Sequence, residues 1–138
     1  MKIKFQHLAI ALSVSALLAM SSAFADGWPA SVAGDWQVIG NHSVGNLNIS
    51  QSNTNGQCKP IRGTIYNSDR IEGFYCPGSG RIAFHRYINN SESIKQHWSG
   101  NLSQASQDRP LRMGGLFASS RHNGVGGSLG EYNFSAAQ

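Results

Sequence analysis

The chain has 138 residues, 40% of them hydrophobic and 13% charged, with a formal net charge of +4. Its basic residues are scattered singly rather than gathered in a stripe, which argues against a nucleic-acid-binding protein. Beyond residue 25 no apolar stretch is long enough to predict a membrane-spanning helix, so we expect no membrane association after export.

The first 25 residues have the pattern of an export signal. A short cationic start precedes an apolar run over residues 8–20, and residues 23–25 provide the small residues of a cleavage site. We expect cleavage after Ala25, which leaves residues 26–138 as one domain able to bury a single core. The expected location is the periplasm or the outside of a bacterial cell.

Short runs that alternate apolar and polar residues follow the signal, and no window repeats apolar residues at helical spacing. Connections rich in Gly, Asn and Ser separate the runs, which favours antiparallel hairpins between neighbours. Eight strands in simple succession predict an all-β domain that closes as an eight-stranded antiparallel up-and-down β-barrel; the alternative is a two-sheet β-sandwich. The predicted strands are Gly34–Gly40, Gly45–Gln51, Lys59–Tyr66, Arg70–Cys76, Arg81–Ile88, Ile94–Gln104, Leu111–Ser119 and Gly127–Ser135.

Glycines recur inside these runs, ahead of large apolar or aromatic residues, at Gly63, Gly73, Gly100, Gly115 and Gly130. A glycine inside a strand marks a tight bend or the close approach of another backbone. Strongly coiled small barrels need such bends, so the glycines favour the barrel.

The third and fourth strands are joined by a turn that we place at residues 67–69. The resulting register predicts that Gly63 faces Gly73 and leaves Cys58 and Cys76 about one pair out of register. An even pair of cysteines in an exported chain predicts a disulfide between Cys58 and Cys76.

The fifth and sixth strands pair about a turn centred on Ser91. Phe84 then faces Trp98 and Arg86 faces Gln96, with both pairs pointing inward. The opposite face of this hairpin is predicted to meet solvent, and it carries His85, Tyr87, Lys95, His97, Ser99 and Asn101.

The inward Arg86–Gln96 pair has two interpretations. Arg86 could bond Gln96 and backbone carbonyls near a rim and reach water with its charged end. Alternatively, the pair lines a pocket mouth and contacts a polar or anionic ligand. The aromatic residues that would wall such a pocket have a second interpretation as plain core; they are Trp98, Phe84, Tyr75 and Phe117.

No motif predicts catalysis, a cofactor or a metal site. Residues 126–130 match Gly-x-Ser-x-Gly, but that motif needs a strand–turn–helix context that the chain does not offer. The histidines fit no metal-ligand spacing, and the acidic residues form no evident acid–base pair. We therefore expect a protein that is not an enzyme.

Several segments resemble the avidin–streptavidin family in order and spacing. Trp98-Ser99-Gly100 is most similar, after a hairpin rich in Asn and Ser. The other similar segments are Gly34-Asp35-Trp36, Gly63-Thr64, Leu111–Ser120 and Leu129-Gly130. The resemblance implies an eight-stranded barrel that binds a small ligand at one end and often forms homo-oligomers.

Carried over position by position, the resemblance makes Trp98 a pocket tryptophan and Asn41 or Ser43 a polar ligand contact. Ser119 or Ser120 would be another polar contact, and Tyr132 stands near the position of a ligand-binding aspartate. Ile65 stands near the place of a ligand-bonding tyrosine, so biotin itself is not the expected ligand.

These patterns together predict a secreted or periplasmic, non-enzymatic β-barrel that binds a small molecule at one end. The alternative is a protein-binding module, such as an inhibitor of a lysozyme or another hydrolase. That alternative places the functional residues on exposed loops, at 67–69 or 120–126.

Overall fold

The computed structural model describes residues 28–66, 68–104, 109–121 and 130–138. The predicted signal sequence lies outside these residues. Among them, no helix is long and apolar enough to cross a membrane.

Eight antiparallel strands form a closed barrel in which each strand pairs with its neighbours in the chain and β8 pairs with β1. The barrel prediction is confirmed, and the two-sheet alternative is wrong because the ring of hydrogen-bonded strands has no open edge. The strands are β1 Gly34–Gly40, β2 Ser43–Gln51, β3 Lys59–Ile65, β4 Asp69–Cys76, β5 Arg81–Tyr87, β6 Ile94–Ser103, β7 Arg112–Arg121 and β8 Glu131–Ala137. A 3₁₀ turn, Ile88–Asn90, follows β5.

The register predicted for β3 and β4 is wrong by two residues. Gly63 faces Ile71 and Gly73 faces Ile61, because β4 already begins at Asp69, opposite Ile65. A tight turn allows this, and its residues Tyr66 and Ser68 adopt left-handed backbone angles, with φ of 54° and 77°. These angles are uncommon for residues other than Gly.

The corrected register brings the two cysteines directly opposite each other, one position beyond the Lys59–Tyr75 pair. The predicted disulfide between Cys58 and Cys76 is confirmed, with 4.0 Å between the Cα atoms. It ties the start of β3 to the end of β4.

Two glycines do lie directly opposite each other on neighbouring strands: Gly100 on β6 and Gly115 on β7. A Cβ atom on Gly115 would lie 2.1 Å from the carbonyl oxygen of Ser99. Only glycine permits the two strands to approach this closely, which is the tight coiling that the sequence pattern indicated.

The register predicted for β5 and β6 is confirmed, since Phe84 faces Trp98 and Arg86 faces Gln96. On the outer face, however, Tyr87 is buried rather than solvated. The Arg70 guanidinium carbon lies 3.9 Å from the Tyr87 ring centroid and the Lys95 Nζ atom lies 4.8 Å from it. The charged ends of both side chains lie over the ring in cation–π contacts.

One end of the barrel, which we call the closed end, is covered by residues 28–33 ahead of β1. The Trp36 indole N–H donates to the Val32 carbonyl at 3.0 Å, and the Tyr75 hydroxyl donates to the Pro29 carbonyl at 2.7 Å. Val32, Trp36 and Tyr75 are fully buried or nearly so. The closed end is therefore continuous with the apolar core.

Candidate functional site

The opposite end, which we call the open end, contains a cavity of about 860 Å³. Turns and strand ends surround it: the β1–β2 turn, the residue after β3, the 3₁₀ turn after β5, and the facing parts of β6, β7 and β8. The side chains that line it include Asn41, Ser43, Tyr66, Arg86, Gln96, Phe117, Ser119 and Tyr132.

An ion pair between Asp69 and Arg86 lies beside the base of this cavity. One carboxylate oxygen, Oδ2, accepts from Arg86 Nε at 2.8 Å and from Arg86 Nη2 at 2.5 Å. The other oxygen, Oδ1, accepts from the backbone N–H of Asn89 at 2.8 Å. Asp69 is 6% exposed, so the carboxylate is removed from water and held by three donors.

Gln96 extends this pair into a network. Its Oε1 atom accepts from Arg86 Nη1 at 3.1 Å and from the Trp98 indole N–H at 3.3 Å. Its Nε2 atom donates to the Ser119 hydroxyl at 3.3 Å. In the described part of the chain, every buried side-chain nitrogen or oxygen has a partner, and these bonds connect Asp69, Arg86, Gln96 and Ser119 in one network.

Tyr66 leans across one side of the cavity, because its left-handed backbone turns the side chain away from the line of β3. Its ring centroid lies 4.5 Å from the Arg86 guanidinium carbon. A Cβ atom on Gly45 would come within 2.4 Å of this ring, so glycine at that position makes room for it. Tyr66 thus forms both a wall and a cover for the guanidinium.

Burial raises the pKa of Tyr66, although the Arg86 charge and a hydrogen bond with the Gly40 backbone act in the opposite direction. Since an unperturbed tyrosine already titrates near pH 10, the phenol stays neutral at physiological pH.

Beneath the cavity, Trp98 is stacked between two rings. Its centroid lies 5.6 Å from that of Phe84 and 4.3 Å from that of Phe117. Phe117 contacts Tyr132 in turn, at 5.3 Å between centroids. Phe117 and Tyr132 therefore provide an aromatic wall that rests on the buried indole.

The site residues predicted from sequence fall into two groups. Arg86, Gln96, Phe117, Asn41, Ser43 and Tyr132 meet at the cavity. The other three predicted residues lie deeper in the core, where Trp98 and Phe84 support the cavity from below and Tyr75 reaches the closed end.

Sequence reasoning missed Asp69 and Tyr66. An inward arginine requires a buried anion, and that requirement would have pointed to a carboxylate on the neighbouring strand. The sequence pattern predicts an exposed turn at 67–69 instead, and the burial of Asp69 against Arg86 removes this residue from any protein-binding loop there. Asn67, residues 122–126 and the Ser128 motif lie outside the described residues.

A second, smaller concavity of about 430 Å³, the outer groove, lies on the outside of β4, β5 and β6. His85 and His97 face each other there with 4.4 Å between ring centroids. Partial burial lowers the pKa of His85, with further lowering by His97 and Lys95. The described residues contain no group of three or more side chains that could hold a metal ion.

No family model matches this chain, and no curated protein matches it. Function is therefore inferred from the geometry of the open end.

Proposed function

We propose that this protein is an exported, non-enzymatic β-barrel that binds a small molecule in the cavity of its open end. The observation that carries the proposal is a hydrogen-bonded polar network, built from Asp69, Arg86 and Gln96, beside the base of an aromatic-walled cavity. Small-molecule sites typically combine apolar walls with a few fixed polar groups, in cavities of roughly 300–1,000 Å³.

Stability alone does not account for this network. Taking a carboxylate and a guanidinium out of water costs about as much as their attraction returns, and well-packed apolar residues often serve as well or better. A barrel that only had to be stable could fill its open end with apolar side chains, as it does at the closed end. A rigid polar network beside a space that side chains leave unfilled fits a recognition role.

Export and family relationship form part of the same proposal. The signal pattern of residues 1–25 and a disulfide fit an oxidising compartment outside the cytoplasm. The strand order and the single open end fit the resemblance to avidin and streptavidin. The changed position at Ile65 supports a ligand other than biotin, since Ile65 is buried and apolar.

Thermal unfolding of the exported protein against a panel of small metabolites that includes biotin tests the proposal. A ligand that binds only the folded state raises the unfolding midpoint in proportion to the logarithm of its concentration. Two substitutions provide the matched control. Ser119→Trp fills the cavity, whereas Ser135→Trp adds the same side chain at an exposed position on the outer face of β8.

We expect at least one ligand to raise the midpoint of the natural protein and of the Ser135→Trp variant, but not of the Ser119→Trp variant. If no ligand raises the midpoint, or if both variants respond equally, the small-molecule proposal is wrong.

A further inference from the structure

At the cavity base, the hydrogen-bond acceptors already have partners within the protein, whereas some of the donors do not. Gln96 Oε1 already accepts two hydrogen bonds, and both oxygens of Asp69 are occupied. Asp69 accepts three hydrogen bonds in all and is 6% exposed, so these acceptors are largely used or shielded before a ligand arrives.

The donors of the same network are not exhausted. The three hydrogen bonds of Arg86 leave further N–H groups on its guanidinium, which carries more donors than these contacts use. Gln96 Nε2 makes one described hydrogen bond, to Ser119, and a primary amide has two N–H groups. A ligand that completes this network must therefore bring acceptors.

The charges around the cavity indicate whether the ligand is anionic, cationic or neutral. Asp69 lies against Arg86 through two hydrogen bonds, so the pair carries no net charge. An anion at Arg86 would also face the Asp69 carboxylate and would lose its own hydration without meeting a net positive charge. Among the described residues that line the cavity no side chain is acidic, so the described lining offers a cation no partner.

The walls favour a flat body. Phe117, Tyr132 and Tyr66 all line the cavity, and aromatic rings prefer stacked or edge-to-face partners.

Building on the proposed function, we infer that the open end selects a neutral ligand with a flat apolar body and a carbonyl-type acceptor directed at Arg86 and Gln96. The fixed ion pair acts as the selectivity device: Asp69 holds Arg86 in place as a hydrogen-bond donor while cancelling its attraction for anions.

Three probes separate the possibilities: indole-3-carboxamide, indole-3-carboxylate and 3-methylindole share a ring and differ in the group at position 3. Each is titrated into the exported protein, labelled with ¹⁵N, and the tryptophan indole N–H signals are followed. The Trp98 indole bonds Gln96 beside the cavity, whereas the Trp36 indole bonds Val32 at the closed end and serves as the internal control.

We expect the carboxamide to shift the Trp98 signal with an affinity about tenfold higher than that of the carboxylate, because the carboxylate also faces Asp69. The methyl compound should bind more weakly than the carboxamide, and the Trp36 signal should not move. Equal or tighter binding of the carboxylate or of 3-methylindole would overturn the inference while leaving a small-molecule site in place. If none of the three moves the Trp98 signal, the inference fails, and the thermal-unfolding panel decides separately whether the open end binds any small molecule.

Asp69→Asn provides a second test, because it keeps the shape of the side chain and removes the charge that compensates Arg86. We expect this variant to reverse the preference and to bind the carboxylate more tightly than the carboxamide. An unchanged Trp36 signal establishes that the variant is folded. A folded variant with the original preference would contradict the role assigned to Asp69.

Discussion

The same eight strands form both ends of the barrel, but the closed end is covered by chain and the open end contains a cavity. At the closed end, residues 28–33 cross the opening, and the side chains of Trp36 and Tyr75 donate hydrogen bonds to backbone carbonyls of this segment. At the open end, inward positions carry Asp69, Arg86 and Gln96, which bond one another beside a cavity. At the closed end the buried polar side chains bond the backbone of the covering segment, so that segment is held over the opening. At the open end the polar side chains bond one another, so no covering segment is needed and the cavity stays unfilled.

The closed end should dominate the stability of the fold. Trp36 is 1% exposed, so Trp36→Ala removes a large buried ring and should lower the free energy of unfolding by about 3–5 kcal/mol. Urea denaturation measures the change. Val44→Ala, at the open end where Val44 is 68% exposed, is the control and should change stability by less than about 0.5 kcal/mol. Similar losses for the two variants would remove the distinction between the ends.

Breaking the ion pair at the open end should be nearly as harmful. Arg86→Met leaves the Asp69 carboxylate buried without its main partner, and the expected loss is about 3 kcal/mol at neutral pH. The double variant Asp69→Leu, Arg86→Met should recover most of that loss, because it leaves no buried charge behind. Urea denaturation of both variants distinguishes the cases, and a double variant as unstable as the single one would show that the pair contributes net stability.

Removing the disulfide should have an intermediate effect. The bond closes a loop with a sequence separation of 18 residues, so Cys58→Ser, Cys76→Ser should lower the free energy of unfolding by about 2–4 kcal/mol. Because the bond ties β3 to β4 on the closed-end side, ligand affinity at the open end should be retained in the folded fraction. Calorimetry of the double variant measures both quantities, and a loss of affinity without unfolding would contradict the separation.

Alkaline pH should reveal a smaller difference between the ends. Burial raises the pKa of Tyr75 to about 12, so the stability linked to its neutral form is present below pH ~10 and is lost as pH rises toward ~12. Tyr75→Phe should cost about 1 kcal/mol at pH 8, because the hydrogen bond to Pro29 is lost.

That cost should shrink at pH 11, where the natural protein has lost part of the Tyr75 contribution. Urea midpoints at the two pH values provide the measurement, and Tyr66→Phe is the matched variant at the open end. A difference between natural and Tyr75→Phe protein that does not change with pH would show that Tyr75 titrates as an ordinary exposed tyrosine.

The sequence was sufficient to predict the eight-stranded barrel and the pairing register of β5 with β6. β5 and β6 pair as predicted because Ile82, Phe84 and Trp98 must share the inner face and the turn is symmetrical about Ser91. In β3 and β4, a shift of two residues leaves every side chain on the same face, so apolar alternation does not distinguish the two registers.

What decided that register was backbone geometry at the turn. Tyr66 and Ser68 adopt left-handed angles that their residue types do not favour. The same turn brings Asp69 inward and swings Tyr66 over the cavity, so the two site residues missed in the sequence depend on one local conformation. Arg86, Gln96 and Phe117 could be predicted because they lie within regular strands.

A crystal structure of the protein with the tightest-binding member of the ligand panel tests the central claim most directly. The account predicts the ligand between Tyr66 and Phe117, with an acceptor atom within hydrogen-bond distance of Arg86 or Gln96, and the Asp69–Arg86 pair unbroken. A ligand in the outer groove, or an open end packed shut by its own side chains, would contradict it.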